Sequence, residues 1–127
     1  MYLDTDVILA HLKVDDWLSS VVDLEKLDEP KTSVATCLEI QYAMQDEWDR
    51  ERLTRTSEEL EADGIELVPL EVDHIEAGSK LQRRYDSLNL FDAVHLGAAT
   101  VLGEPIVSTD TLYPEIAEVE SVDPREL

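Results

Sequence analysis

Residues 1–13, MYLDTDVILAHLK, hold the key to the fold. Met1–Leu3 is a short apolar strand that runs straight into Asp4, and Val7 to about Lys13 follows as a helix with Asp6 standing where an N-cap belongs. The same alternation of strand and helix recurs outward from this segment. Lys31–Ala35 reads as a second strand, and the long helix after it is capped by Thr36 or Ser33, with Leu38, Ile40, Tyr42, Ala43 and Trp48 as its apolar members. Ile65–Leu70 alternates as a strand should, Pro105–Ser108 is short and apolar, and Ile116–Val122 reads as a last edge strand.

The intervening segments have helical spacing. A helix is expected from near Asp15, with Trp17, Leu18, Val21, Val22, Leu24 and Leu27 as its apolar stripe, broken by Asp28-Glu29-Pro30. Arg52–Asp63 reads as a polar helix stopped by Gly64, and Asp73–Tyr85 as another with Gly78 as its weak point. Phe91–Leu102 is an almost wholly apolar helix closed by Gly103, so it belongs in an interior or against a partner. Together these elements predict an α/β fold of three layers, α/β/α, with a mostly parallel central sheet of four to five strands. A chain of 127 residues suits one domain spanning residues 1–127.

Thirty acids face ten Lys and Arg, giving a net charge of −20. The apolar periodicity excludes disorder, which leaves a hydrated acidic shell around an ordinary core, the pattern expected of a halophile's cytoplasm. Cys37 is the only cysteine, so no intramolecular disulfide forms, and its apolar setting marks it as a small core filler. The longest stretch free of formal charge, Ala93–Gly103, is far short of the ~20 residues that span a bilayer, and no basic leader precedes an apolar run. A soluble, cytoplasmic protein without a membrane partner is the expectation.

Four acids interrupt segments that should be dry: Asp4, Glu39, Asp92 and Asp110. Each has an ordinary reading, as a helix cap, a wet-face acid, a first-turn acid and a turn residue respectively. As a set they follow or flank strand ends, where ligands of a parallel sheet bind. Clustered carboxylates repel unless they protonate or share a cation, and an all-oxygen set suits Mg²⁺ or Mn²⁺. Such a site suits phosphodiester hydrolysis, in which one or two ions activate a water and hold the leaving oxygen. The chain has no P-loop and no G-x-S-x-G serine.

The segments YLDTDVILAHL, TSVATCLEIQYA, YDSLNLFDAVHLGAA and PIVSTD resemble, in order, the four acidic motifs of PIN-domain ribonucleases, and the length is similar to that of the VapC-type toxins of toxin–antitoxin pairs. The run Leu90–Leu96 is the most specific of them. The resemblance implies that Asp4, Glu39, Asp92 and Asp110 are the metal-binding catalytic acids, with Ser108 at a hydroxyl position near the site. It also implies an RNA substrate, a small cognate antitoxin as partner, and a homodimer. Asp6, where many members carry Asn or Ser, is read as a helix cap rather than a water-linked ligand. His95, one turn after Asp92, is read as a packed helix histidine, Trp17 and Trp48 as core or dimer contacts, and Tyr113-Pro114 as a departure that does not touch the ligands. Two basic clusters, Arg50/Arg52/Arg55 and Lys80/Arg83/Arg84, could hold an RNA backbone, or pair with acids along their helices.

Other classes remain in view: a housekeeping RNA-processing nuclease, a non-catalytic interaction module of the same fold, and a phosphatase of the haloacid-dehalogenase type, whose D-x-D-x-[TV] motif Asp4-Thr5-Asp6-Val7 fits. The phosphatase, like a phospho-acceptor receiver domain, requires a late lysine, and no lysine follows Lys80.

Overall fold

The structure, a computed structural model, describes residues 1–13 and 17–127. Among these, five short strands form one parallel sheet: β1 (Tyr2–Leu3), β2 (Lys31–Ser33), β3 (Glu66–Val68), β4 (Ile106–Val107) and β5 (Ser121–Val122), in the order β3-β2-β1-β4-β5. Six helices complete the three-layer α/β/α arrangement: α1 (Thr5–Leu12), α2 (Val34–Ala43), α3 (Arg50–Thr54), α4 (Thr56–Ala62), α5 (Val72–Arg84) and α6 (Leu90–Leu102).

Successive strand residues point to opposite faces, and this splits the core in two. Tyr2 and Ile106 join Leu81, Leu96, Ala99 and Tyr113 on one face. Leu3 and Val107 join Val7, Ile8, Ile40 and Leu60 on the other. The strand order reverses direction between β1 and β4, since β2 and β3 lie to one side and β5 to the other. That switch point opens a crevice beyond the carboxyl ends of β1 and β4.

Helices α5 and α6 pack backbone to backbone. A Cβ on Gly78 would sit 2.5 Å from the Ala93 carbonyl oxygen, and one on Gly97 would lie 2.6 Å from the Gly78 nitrogen. Gly78, expected to be a weak point, is therefore the point of closest packing, and it sets where the apolar helix sits. Gly103 ends α6 in the left-handed region at φ 67°, as anticipated.

Several expectations need correction. The helix placed from near Asp15 begins on residues 14–16, outside the described ones. From Trp17 to Val21 the chain turns, and only Leu24–Lys26 winds into a 3₁₀ turn, started by the Asp23 carboxylate accepting from the Glu25 N–H at 3.0 Å. Ser19-Ser20 and the β-branched pair Val21-Val22 form helix poorly, which helical spacing alone does not register. Trp17 is 65% exposed rather than core. The polar helix divides at Arg55, where the hydroxyls of Thr54 and Thr56 donate to the carbonyls of Arg50, at 3.0 Å, and Leu53, at 3.0 Å. Helix α2 stops at Ala43, so Trp48 lies beyond it, and Leu38 and Tyr42 point outward. No helix among the described residues is long and apolar enough to cross a membrane.

Candidate active site

Asp4 leaves β1 at the switch point and occupies the N-cap position of α1. Its backbone carbonyl accepts from the N–H groups of Val7 and Ile8, both at 3.1 Å, but its side chain caps nothing. The carboxylate instead turns into the crevice and accepts from the Ser108 hydroxyl at 2.8 Å. Ser108 Oγ in turn accepts from the Asp110 N–H at 3.1 Å, so one buried hydroxyl links the acids that follow β1 and β4. Asp110 shapes its own turn by accepting from the Leu112 N–H at 2.9 Å.

Glu39 enters from α2, which Ser33 caps through the Ala35 N–H at 3.0 Å. Its Oε1 accepts from the Thr5 hydroxyl at 2.5 Å and lies 2.8 Å from His95 Nε2. Asp92 lies in the first turn of α6. Asn89 caps that helix through the Asp92 N–H at 2.9 Å, which leaves the Asp92 carboxylate free of capping duty. Its Oδ1 accepts from the Tyr113 hydroxyl at 3.1 Å.

Asp4, Thr5, Asp6, Leu9, Glu39, Asp92, Thr109 and Asp110 line one open pocket. All four acids singled out from the sequence are thus brought to it, and Ser108 lies directly behind two of them. Asp6 is not the N-cap residue of α1, which is Asp4, although Asp6 Oδ1 accepts from the Val7 N–H at 2.9 Å. Its Oδ2 accepts from the Thr109 N–H at 3.0 Å and from the Thr109 hydroxyl, tying α1 to the segment that carries Asp110. Tyr113, expected to stand apart from the ligands, is fully buried and touches Asp92. His95 is buried as expected, but its ring is bonded to a pocket acid rather than simply packed.

The electrostatics match this placement. Burial pushes the Asp4 carboxyl up to about 7, with the Asp6 charge adding to it while His95 and the Ser108 hydroxyl oppose. Burial likewise raises Asp92, and the charges of Asp110 and Glu39 add to it against the hydrogen bonds from Tyr113 and Asn89. For Glu39 burial also acts upward, yet the hydrogen bonds from His95 and Thr5 outweigh it and hold the carboxyl below the usual glutamate range. The Tyr113 hydroxyl is driven far up by burial and by the carboxylates of Asp4 and Asp92, so it stays a donor.

Asp4, Glu39, Asp92 and Asp110 together offer only oxygen donors, which suits Mg²⁺ or Mn²⁺ in kind. Among the described residues no three acidic, His or Cys side chains are already drawn close enough to chelate an ion as they stand. Drawing these carboxylates closer would raise their mutual repulsion, which a bound cation would offset.

A PIN-domain family model matches residues 1–119. This chain belongs to the PIN-domain family. The match sets aside the phosphatase and receiver readings. Solved structures of the same fold include a toxin–antitoxin complex from Klebsiella pneumoniae, 20% identical over 97% of this chain and 96% of that one with a TM-score of 0.73. VapBC-1 from nontypeable Haemophilus influenzae is 15% identical over 97% and 96%, with a TM-score of 0.75. VapBC2 from Rickettsia felis, bound to a DNA fragment from its promoter, is 12% identical over 95% and 96%, with a TM-score of 0.72. No curated protein matches the chain significantly in sequence.

Proposed function

We propose that this PIN-domain chain is a metal-dependent endoribonuclease, the VapC-type toxin of a toxin–antitoxin pair, with Asp4, Glu39, Asp92 and Asp110 as its metal-binding catalytic acids. The observation that carries the reading is the convergence of these four acids, from four separate elements, on one pocket at the topological switch point. The likeness to solved toxin–antitoxin complexes over nearly the whole chain supports the antitoxin partner. On this reading one domain spans residues 1–127, it pairs with a second copy, and its acidic surface is that of a cytoplasmic protein working at high salt.

A bound Mg²⁺ or Mn²⁺ would supply Lewis acidity that activates a water and offsets the charge developing on the phosphoryl group. The chain's own contribution is to hold the donors. Ser108 fixes Asp4 relative to Asp110, Tyr113 fixes Asp92, and Asp6 anchors the turn that carries Asp110 through Thr109. Burial pushes the Asp4 carboxyl up to about 7, so a bound cation would compete with a proton there near neutrality.

The two basic clusters are only partly committed within the chain. Arg55 pairs with Glu51 at 3.5 Å and Glu58 at 3.7 Å, and Arg84 with Glu118 at 2.8 Å. Arg52 lies over the Trp48 ring at 3.8 Å and donates to the Leu12 carbonyl at 2.8 Å. Of the pairings along the helices Glu51–Arg55 forms, while among the described residues Arg50, Lys80 and Arg83 make no ion pair. On a chain of net charge −20 at high salt, ionic contacts with RNA are weak, and recognition leans on RNA shape and unstacked bases.

The decisive experiment is cleavage of cellular RNA with Mn²⁺ in high salt, with the ends mapped. Asp4→Asn and Asp92→Asn should each abolish cleavage with the fold retained, and EDTA should abolish it in the wild type. Full activity in both variants, or activity in EDTA, overturns the reading. Co-purification with the product of a small adjacent reading frame tests the toxin role. A free-standing gene with an active product points instead to a housekeeping RNA-processing enzyme, and a folded chain without cleavage points to an interaction module.

A further inference from the structure

Among the described residues, His95 is the one buried imidazole whose ring reaches the pocket acids. It is 1% exposed, and both ring nitrogens are engaged. Nε2 lies 2.8 Å from Glu39 Oε1 and 3.1 Å from Thr5 Oγ1, and Nδ1 lies 2.6 Å from the Tyr2 hydroxyl. An ionised carboxylate can only accept, so the Nε2 proton is directed at Glu39. Tyr2 is fully buried in β1, two residues before Asp4, and its ring centroid lies 5.8 Å from that of His95. The chain Tyr2–His95–Glu39 therefore runs from the central strand, through α6, to a carboxylate on α2.

This arrangement engages one oxygen of Glu39 and leaves the other for the pocket. Oε1 takes both the Thr5 hydroxyl and His95 Nε2, and no hydrogen bond within the described residues engages Oε2. A glutamate side chain whose outer end is partly open to solvent would otherwise sample several rotamers. Groups that hold a ligating carboxylate in this way ordinarily contribute about 10- to 100-fold to metal affinity.

We infer that His95, itself oriented by Tyr2, is the positioning residue for Glu39 and sets the affinity of the acidic pocket for a divalent cation without touching that cation. The inference rests on the metal-site reading above, and the test separates the two. Mn²⁺ affinity is measured by electron paramagnetic resonance on the full chain without RNA, for the wild type, Asp4→Asn, His95→Leu, His95→Gln and Tyr2→Phe. The expected result is wild-type binding that Asp4→Asn removes, a loss of about 10- to 100-fold in His95→Leu, recovery to within a few-fold in His95→Gln, whose amide can donate to Glu39, and about tenfold weakening in Tyr2→Phe.

Wild-type binding that Asp4→Asn leaves unchanged, or no binding at all, overturns the metal-site reading itself. Asp4-dependent binding that is the same in His95→Leu overturns only the role of His95. Equal losses in His95→Leu and His95→Gln, with Tyr2→Phe unaffected, show that His95 merely fills space and likewise overturn the role. If His95→Leu does not fold, Tyr2→Phe decides, because it removes a single hydroxyl: unchanged affinity there overturns the inference.

Discussion

The hydroxyl of Ser108 donates to Asp4 Oδ2 at 2.8 Å while accepting from the Asp110 N–H at 3.1 Å, so the ends of β1 and β4 are joined through one oxygen. Ser108 is 2% exposed and Asp4 8%, so water cannot readily replace the lost donor. Ser108→Ala should destabilise the fold by roughly 2 kcal/mol, the cost of leaving a buried carboxylate short of a partner. Urea unfolding measures it. The same variant should bind Mn²⁺ more weakly at pH 6 than at pH 8, by a wider margin than the wild type, because that hydrogen bond holds the Asp4 carboxyl down. Unchanged stability would mean that another donor reaches Asp4.

Asp4 also makes the cation-free protein sensitive to pH in a definite direction. Its carboxyl is raised from 3.8 to about 7 in the folded state, chiefly by burial. Below about pH 4 it is protonated folded or unfolded and contributes no penalty. As pH rises toward 7 the unfolded chain ionises first, so stability is progressively lost until the folded carboxyl ionises too. Above that the penalty is constant. Asp92 is raised as well and acts in the same direction. In EDTA, the melting temperature of Asp4→Asn minus that of the wild type should therefore grow from pH 4 to pH 7 and then level off. Taking the difference removes the general repulsion of a −20 chain. Added Mn²⁺ should close the gap by stabilising the wild type alone, with proton release on binding.

Tyr113 and Asp92 form the second pair that matters. Tyr113 is fully buried, opens the 3₁₀ turn Tyr113–Glu115 and donates across the crevice to Asp92 at 3.1 Å. Tyr113→Phe keeps the ring and removes the donor, and should cost about 1 kcal/mol by denaturant titration. Since the Tyr113 hydroxyl is the foremost influence holding Asp92 down against burial, the variant should need a higher pH to reach half-maximal cleavage. A pH–rate profile that does not move would show that Asp92 takes its field from elsewhere.

This pair marks the boundary of what can be read from the chain. The four acids are legible because each stands inside an apolar run, where a charge needs a reason. The parallel α/β sheet is legible because strand and helix periods alternate. Tyr113, Thr5 and Tyr2 are not, since an aromatic or a hydroxyl in an apolar context has a sufficient explanation in packing, and only the crossing of β1, α6 and the turn after β4 brings them to the acids. Asp6 misleads for a local reason. A cap position can be inferred from adjacent residues, whereas its bond to Thr109 spans 103 positions. His95 gives the nearest thing to a signal, standing one turn after Asp92, but helical spacing shows a shared face and not what that face meets.

The charge of the chain leads to the last prediction. Thirty acids against ten basic residues leave a surplus of 20, and the ion pairs that do form are largely on the surface, such as Arg55 with Glu51, whose side chains are 63% and 80% exposed. Exposed pairs of this kind contribute little and weaken further with salt. Repulsion among the remaining acids outweighs them, and it too is screened, the Debye length falling from ~10 Å at ~0.1 M to ~3 Å at ~1 M. The melting temperature should therefore rise steadily with KCl between about 0.1 and 1 M. Asp4→Asn should show the same slope, because the effect belongs to the surface and not to the pocket. Cleavage of RNA by the wild type should persist across that range, since recognition that rests on RNA shape and unstacked bases gains little from ionic contacts. A flat or falling melting curve would mean that the acidic surface does not limit stability, and cleavage collapsing in ~1 M KCl would restore the basic clusters as the RNA-binding surface.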